Sequence, residues 1–157
     1  EIGSGLVGSE MCIRDSFYRA ELKNTTNTAR GDKLKGKNRI QLQVALGGNN
    51  SNNGAFVTAP IQCDGTKTVT VSFTAATNRA ISANYWIGVT DNGPITSDWL
   101  RDINKISPHA EGLIPRSDNV SHSHTFTVTN GQRIMVKVSN TLGEHHLEFA
   151  DFTYTVE

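Results

Sequence analysis

Three stretches of this chain alternate apolar and polar residues one by one, and that two-residue period is what most narrows the fold. Ile40, Leu42, Val44 and Leu46 alternate with Gln41, Gln43 and Ala45. Val69, Val71, Phe73 and Ala75 alternate with Thr70, Ser72 and Thr74. Ile134, Val136 and Val138 alternate with Met135 and Lys137. Successive side chains of a strand point to opposite faces, so each stretch has one apolar face and one wet face. Several such strands separated by turns build an all-β sandwich or barrel. At 157 residues the chain is one domain's worth, long enough for a core without a disulfide staple.

The remaining segments follow from their punctuation. Phe17 to Leu22 reads as a first strand, Ala55 to Thr58 as a short strand ended by Pro60, and His146 to Val156 as the last. Asn84 to Thr90 and Ile95 to Ser97 flank Asp91-Asn92-Gly93, a hairpin signal. Ser123 to Thr129 and Arg133 to Ser139 flank a second, Asn130-Gly131. Residues 97–120 break the alternation. Ser97 is placed to cap one short helix near 98–106, with Trp99, Leu100, Ile103 and Ile106 at helical spacing. Ser107-Pro108 ends it, and the rest of that stretch reads as loop.

Charge excludes more than it proposes. The formal net charge is zero, and no basic run exceeds Lys33, Lys35, Lys37 and Arg39. Nucleic-acid binding has no electrostatic footprint beyond that stripe. The stripe reads as a solvated edge strand whose lysines discourage edge-to-edge pairing. No apolar run approaches the ~20 residues that span a bilayer, so no membrane insertion is expected.

Leu6-Val7-Gly8-Ser9-Glu10-Met11-Cys12-Ile13-Arg14-Asp15-Ser16 resembles the translation of a transposase adapter used in sequencing libraries. The resemblance implies that residues 1–16 are not native, that the true N-terminus is lost, and that the source is a sequenced microbial community. Residues 17–157 are then the β-sandwich domain, carrying 14 basic and 12 acidic residues. Cys63 is left as the lone cysteine, which excludes an intrachain disulfide and reads as a small hydrophobe beside a strand.

Three stretches resemble bacterial jelly-roll modules of the galactose-binding and carbohydrate-binding-module kind. Asn53-Gly54-Ala55-Phe56-Val57-Thr58-Ala59-Pro60-Ile61 is similar to the small loop, strand and proline that precede a core strand. Thr68-Val69-Thr70-Val71-Ser72-Phe73-Thr74-Ala75-Ala76 is similar to that core strand, and Phe149-Ala150-Asp151-Phe152-Thr153-Tyr154-Thr155 to the closing one. The closing pattern has one Asp where many relatives have a pair. The resemblance implies a jelly-roll-like antiparallel β-sandwich, extracellular or attached to a cell surface, commonly appended to a larger surface protein. It also implies a structural calcium joining a Glu on the first strand to an Asp on the last, for which Glu21 and Asp151 occupy comparable places. Calcium takes six to eight oxygen ligands, so two carboxylates are only a beginning.

Sandwiches that bind sugars set flat aromatic faces against pyranose rings. The candidates are Tyr85, Trp86 and Trp99. Tyr85, Ile87 and Val89 share one strand face; Trp86, Gly88 and Thr90 share the other. If the Ile/Val face is core, Trp86 points outward, unless it packs under residues 97–120. Trp99 shares helical spacing with Ile103 and Ile106 and reads as core. His122 and His124 lie two apart and share a strand face, but zinc needs three or four converging ligands. Glu144 and Glu148 have ordinary strand spacing, and no nucleophile elbow, zinc-protease motif or phosphate-cradling loop is present.

The reading is a non-catalytic carbohydrate-binding or adhesion module with a glycan partner. The alternative is a structural β-sandwich without a small-molecule ligand, such as a spacer, a pilus-like subunit or a viral surface domain. A hydrolase on a jelly-roll scaffold would need convergent carboxylates in a cleft. Deleting residues 1–16 is expected to shift the thermal midpoint by no more than about two degrees, the effect of less than about 1 kcal/mol in a domain this size. Differential scanning fluorimetry of the two forms measures it, and a much larger drop would show that these residues pack into the domain.

Overall fold

A computed structural model of the chain describes residues 3–6, 17–18, 20–23, 34, 38–44, 54–77, 83–90, 109–114, 121–138 and 145–157. The strands are β1 (Gly3–Leu6), β2 (Phe17–Tyr18), β3 (Ala20–Lys23), β4 (Arg39–Val44), β5 (Ala55–Val57), β6 (Lys67–Thr77), β7 (Ala83–Thr90), β8 (His109–Ile114), β9 (Ser121–Val128), β10 (Arg133–Val138) and β11 (His145–Val156). One sheet runs β3-β4-β11-β6-β9, with β1 added against β11; the other runs β2-β5-β10-β7-β8. Every described pairing is antiparallel. The fold is the expected all-β jelly-roll sandwich. The predicted helix near 98–106 lies outside the described residues, as do Trp99 and Ile95 to Ser97.

The two-residue period sets the core. Along β6, Val69, Val71, Phe73 and Ala75 are buried while Thr70, Ser72 and Thr74 are half-buried. The buried face joins Ile87 and Val89 of β7 and Ile134, Val136 and Val138 of β10 in one cluster. Phe73 sits at its centre, 5.4 Å from the Tyr85 ring, 5.2 Å from Phe149 and 5.8 Å from Phe152. On the opposite face, Thr70, Ser72 and Thr74 stand 3.3–3.4 Å from the hydroxyls of Thr125, Ser123 and Ser121 on β9.

β11 occupies the middle of its sheet, and one residue divides it. Leu147 and Phe149 point into the core, which would also turn Asp151 inward if the period continued. Instead the register shifts between Ala150 and Thr153. Asp151 is exposed in the left-handed region at φ 55°. Asp is one of the few non-glycine residues that visit this region readily. The extra residue resets the phase, so Phe152 and Val156 return to the core and Tyr154 packs against it. The same point separates two neighbours: β4 pairs with β11 up to Ala150, and β1 pairs from Thr153. β1 lies inside the segment set apart as adapter-derived, so the deletion above removes this one four-residue edge pairing.

Four expectations are corrected. Phe17 to Leu22 is not one strand, because β2 and β3 join different sheets. Asn130-Gly131 does not close a hairpin: β9 pairs with β6 in one sheet and β10 with β5 and β7 in the other, so the turn carries the chain between layers. Gly131 supplies the positive φ of 91° in that turn, Gln132 N–H donates to the Thr129 carbonyl, and Ile61 braces it by two backbone bonds of 2.8 Å. Part of the 97–120 excursion, read as loop, is β8, which pairs in the plane of the sheet with β7. Arg39 is not on a solvated edge. β4 lies between β3 and β11, and Arg39 Nε is 3.1 Å from Glu148 Oε2 with both side chains fully buried. A buried pair of this kind is costly to break from one side, at about 3–5 kcal/mol.

Val71→Asp is expected to destabilise by about 3–5 kcal/mol, since it buries an unpaired charge. Thr70→Asp, one residue along on the hydroxyl face, is expected to cost less than about 1 kcal/mol. Urea unfolding of both variants measures the difference, and equal midpoints would overturn the assignment of faces.

Candidate functional site

The register of the five-stranded sheet defines its outer face. Phe56, Val136 and Ile87 face the core, so the residues between them face away. One outward row is Ala55, Lys137 and Trp86 across β5, β10 and β7. The next holds Val57, Met135 and Gly88, and a third pairs Arg133 with Thr90. Ala55, Val57, Met135, Lys137 and Thr90 are buried on this face. Trp86 and Asn84 are partly exposed on it. The indole is therefore on the outward side, as its alternation with Ile87 requires, and stands beside a buried lysine. Arg133 Nη1 donates to the Thr58 carbonyl at 3.0 Å, and burial lowers the Arg133 pKa.

Tyr85, expected as a second ligand-binding ring, points the other way. It is fully buried, on the core face with Ile87 and Val89. A buried ring offers no face to a sugar. Its ring lies across Gly112 of β8, where a Cβ would collide with it, so β8 needs glycine at that register position. From there the phenol reaches the edge strand of the other sheet. Tyr85 Oη is 3.1 Å from His122 Nδ1 and 2.6 Å from His124 Nε2. One oxygen can serve one nitrogen of each neutral imidazole, donating its proton to one and accepting N–H from the other. His122 stacks on Phe73 at 5.4 Å and 12°, and His124 stacks at 6.3 Å and 23°. The three side chains clasp the two sheets together at the β8–β9 side. The sequence placed the histidines on one face; their shared partner, 37 and 39 positions away, gave no local signal.

The two expected calcium ligands stand on β3 and β11, with β4 between them. Glu21 pairs with Gln41, which pairs with Glu148, so Asp151 lies two strands over and three residues along. At ordinary strand spacings that is roughly 14 Å between backbones. Asp151 is the bulge residue of β11. Among the described residues, no three of His, Cys, Asp and Glu converge. Glu148, the described half of the Glu144/Glu148 acid pair, is committed to Arg39. Cys63 is half-buried against the core with a free thiol.

No family model matches the sequence, and no curated protein matches it. Solved structures do match the fold. The chain is similar to a xylan-binding CBM22 domain from Paenibacillus barcinonensis, with 12% identity and a TM-score of 0.53 over 90% of this chain and 85% of that one. It is similar to a CBM4 module at 16% identity and a TM-score of 0.52, covering 100% and 95% of the two chains. It is similar to a CBM6 module of a Cellvibrio mixtus lichenase, solved with cellotriose, at 12% identity and a TM-score of 0.51, covering 92% of each. The fold is that of the carbohydrate-binding-module jelly roll.

Burial, and after it the neighbouring His122, lower the His124 pKa below its usual 6.5. Below about pH 6.5 the unfolded chain takes up a proton that the folded chain resists, so stability is full above that value and falls as pH drops. Burial pushes the Tyr85 phenol up to about 12, so it stays protonated throughout. The thermal midpoint is expected to fall between about pH 7 and about pH 5, and His124→Gln to flatten the fall. Identical slopes for the two proteins would place the acid sensitivity elsewhere.

Proposed function

We propose that the chain is a non-catalytic carbohydrate-binding module, extracellular or on a cell surface, acting as an appendage of a larger protein. The observation that carries the reading is Trp86. It is a partly exposed indole on the outward face of β7, while Tyr85 and Ile87 on either side of it are fully buried. Indole faces take up the apolar faces of pyranose rings, and neighbouring polar groups fix orientation. Asn84 shares this outward face and is also partly exposed. The likeness to modules described as xylan-binding or holding cellotriose supports a polysaccharide as the ligand class.

A structural sandwich is the second reading, and one observation favours it. On the β6/β9 face the small hydroxyls of Thr70, Ser72 and Thr74 stand opposite those of Thr125, Ser123 and Ser121. Such a face is a solvated wall that needs no ligand. The two readings part at the indole.

An aromatic ring contributes about 0.5–1.5 kcal/mol beyond its buried area, so Trp86→Ala is expected to weaken polysaccharide binding about two- to tenfold. Affinity electrophoresis in xylan, mixed-linkage glucan and laminarin reads this, with far-UV circular dichroism confirming an unchanged fold. A wild-type protein that binds nothing on a broad glycan array would make the chain a structural sandwich.

A further inference from the structure

The Tyr85–His122–His124 clasp has a geometry that packing alone does not require. Two imidazole nitrogens, on alternate residues of β9, aim at one oxygen from the opposite sheet. The rings are held in place from below. Both stack on Phe73, His124 also stacks on Phe126 at 6.4 Å and 19°, and the Tyr85 ring is confined over Gly112. The histidines are half-buried, at the edge strand of their sheet. We propose that this clasp is a binding site for one divalent transition-metal ion, with His122 Nδ1 and His124 Nε2 as ligands and the Tyr85 hydroxyl as a weak third donor.

The donor set selects the class of ion. Imidazole suits copper, zinc and nickel, whereas calcium and magnesium need clusters of carboxylate and carbonyl oxygens. No Asp or Glu joins the histidines among the described residues, so no hard-ion site competes there. With three protein donors, solvent completes the coordination, the open arrangement rather than the closed four-ligand one. Of the divalent first-row ions, copper binds such nitrogen sites most tightly. The hydroxyl holds the two nitrogens toward one point by hydrogen bonds, and an ion between them would take the place of those bonds as the hydroxyl shifts aside to become its third donor. The ion would tie β9 to β7 across the layers, and its effect on unfolding is therefore separate from any sugar binding at Trp86.

Copper(II) titration of the whole chain, followed by electron paramagnetic resonance and by thermal unfolding, tests the site. The expected result is one ion per chain, hyperfine structure from two nitrogens and a raised thermal midpoint. The double variant His122→Asn/His124→Asn is expected to lose at least tenfold in affinity, together with the midpoint shift. Undiminished binding by a folded double variant would overturn the proposal, as would no binding by the wild type. Paramagnetic broadening of imidazole resonances in the wild-type chain reads the site without any substitution. Broadening centred on His122 and His124 supports it, and broadening centred on His145 and His146 overturns it.

Discussion

Phe73 is the contact on which the two layers depend. It projects from β6 in one sheet and meets Tyr85 from the other at 5.4 Å, while Phe149 and Phe152 close around it from β11. Edge-to-face and offset aromatic pairs are worth about 0.5–1.5 kcal/mol each beyond their area, so a ring with several partners concentrates cohesion at one point. The same ring also carries the two histidines of the edge clasp. Core packing and the polar latch are thus one assembly. A change at Phe73 would disturb the imidazoles as directly as it disturbs the interior.

The elements read correctly from sequence are those with one dry face and one wet face. β6 is the clearest, because Val69, Val71 and Phe73 meet the core while Thr70, Ser72 and Thr74 meet hydroxyls and water. β10 was legible for its inner residues, yet Met135 and Lys137 on its other face are buried too. A lysine at a polar position of an alternating strand reads as solvated, and nothing local reveals that its face is covered. The Arg39–Glu148 ion pair was hidden for a similar reason. Its partners stand 109 positions apart, and each looks like an ordinary surface charge.

Topology was less legible than strands. A glycine-containing turn with positive φ serves a hairpin or a crossing between layers equally well, and the choice at Gly131 is made by Ile61, far away in the chain. β8 has no alternation to betray it: the sequence His-Ala-Glu-Gly-Leu-Ile becomes a strand because β7 offers it an edge. For the candidate site, the alternation separated Tyr85 from Trp86 correctly, but a list of aromatic residues placed both at a ligand. The structure keeps the indole outward and sends the phenol inward to a task no motif announces.

The position of β11 bears on when this protein can fold. It is the strand nearest the C-terminal end of the chain, yet it lies between β4 and β6 and carries β1 as well. β4, β6 and β1 have no shared sheet until it arrives. As the chain emerges during synthesis, at about 5–20 residues per second, β4 and β6 each expose an unpaired edge until β11 follows. Pairings between such distant segments also form slowly, because loop closure precedes any reward. The β3–β4 and β6–β9 pairs therefore become one sheet only when β11 joins them, after every strand of the facing sheet is already present.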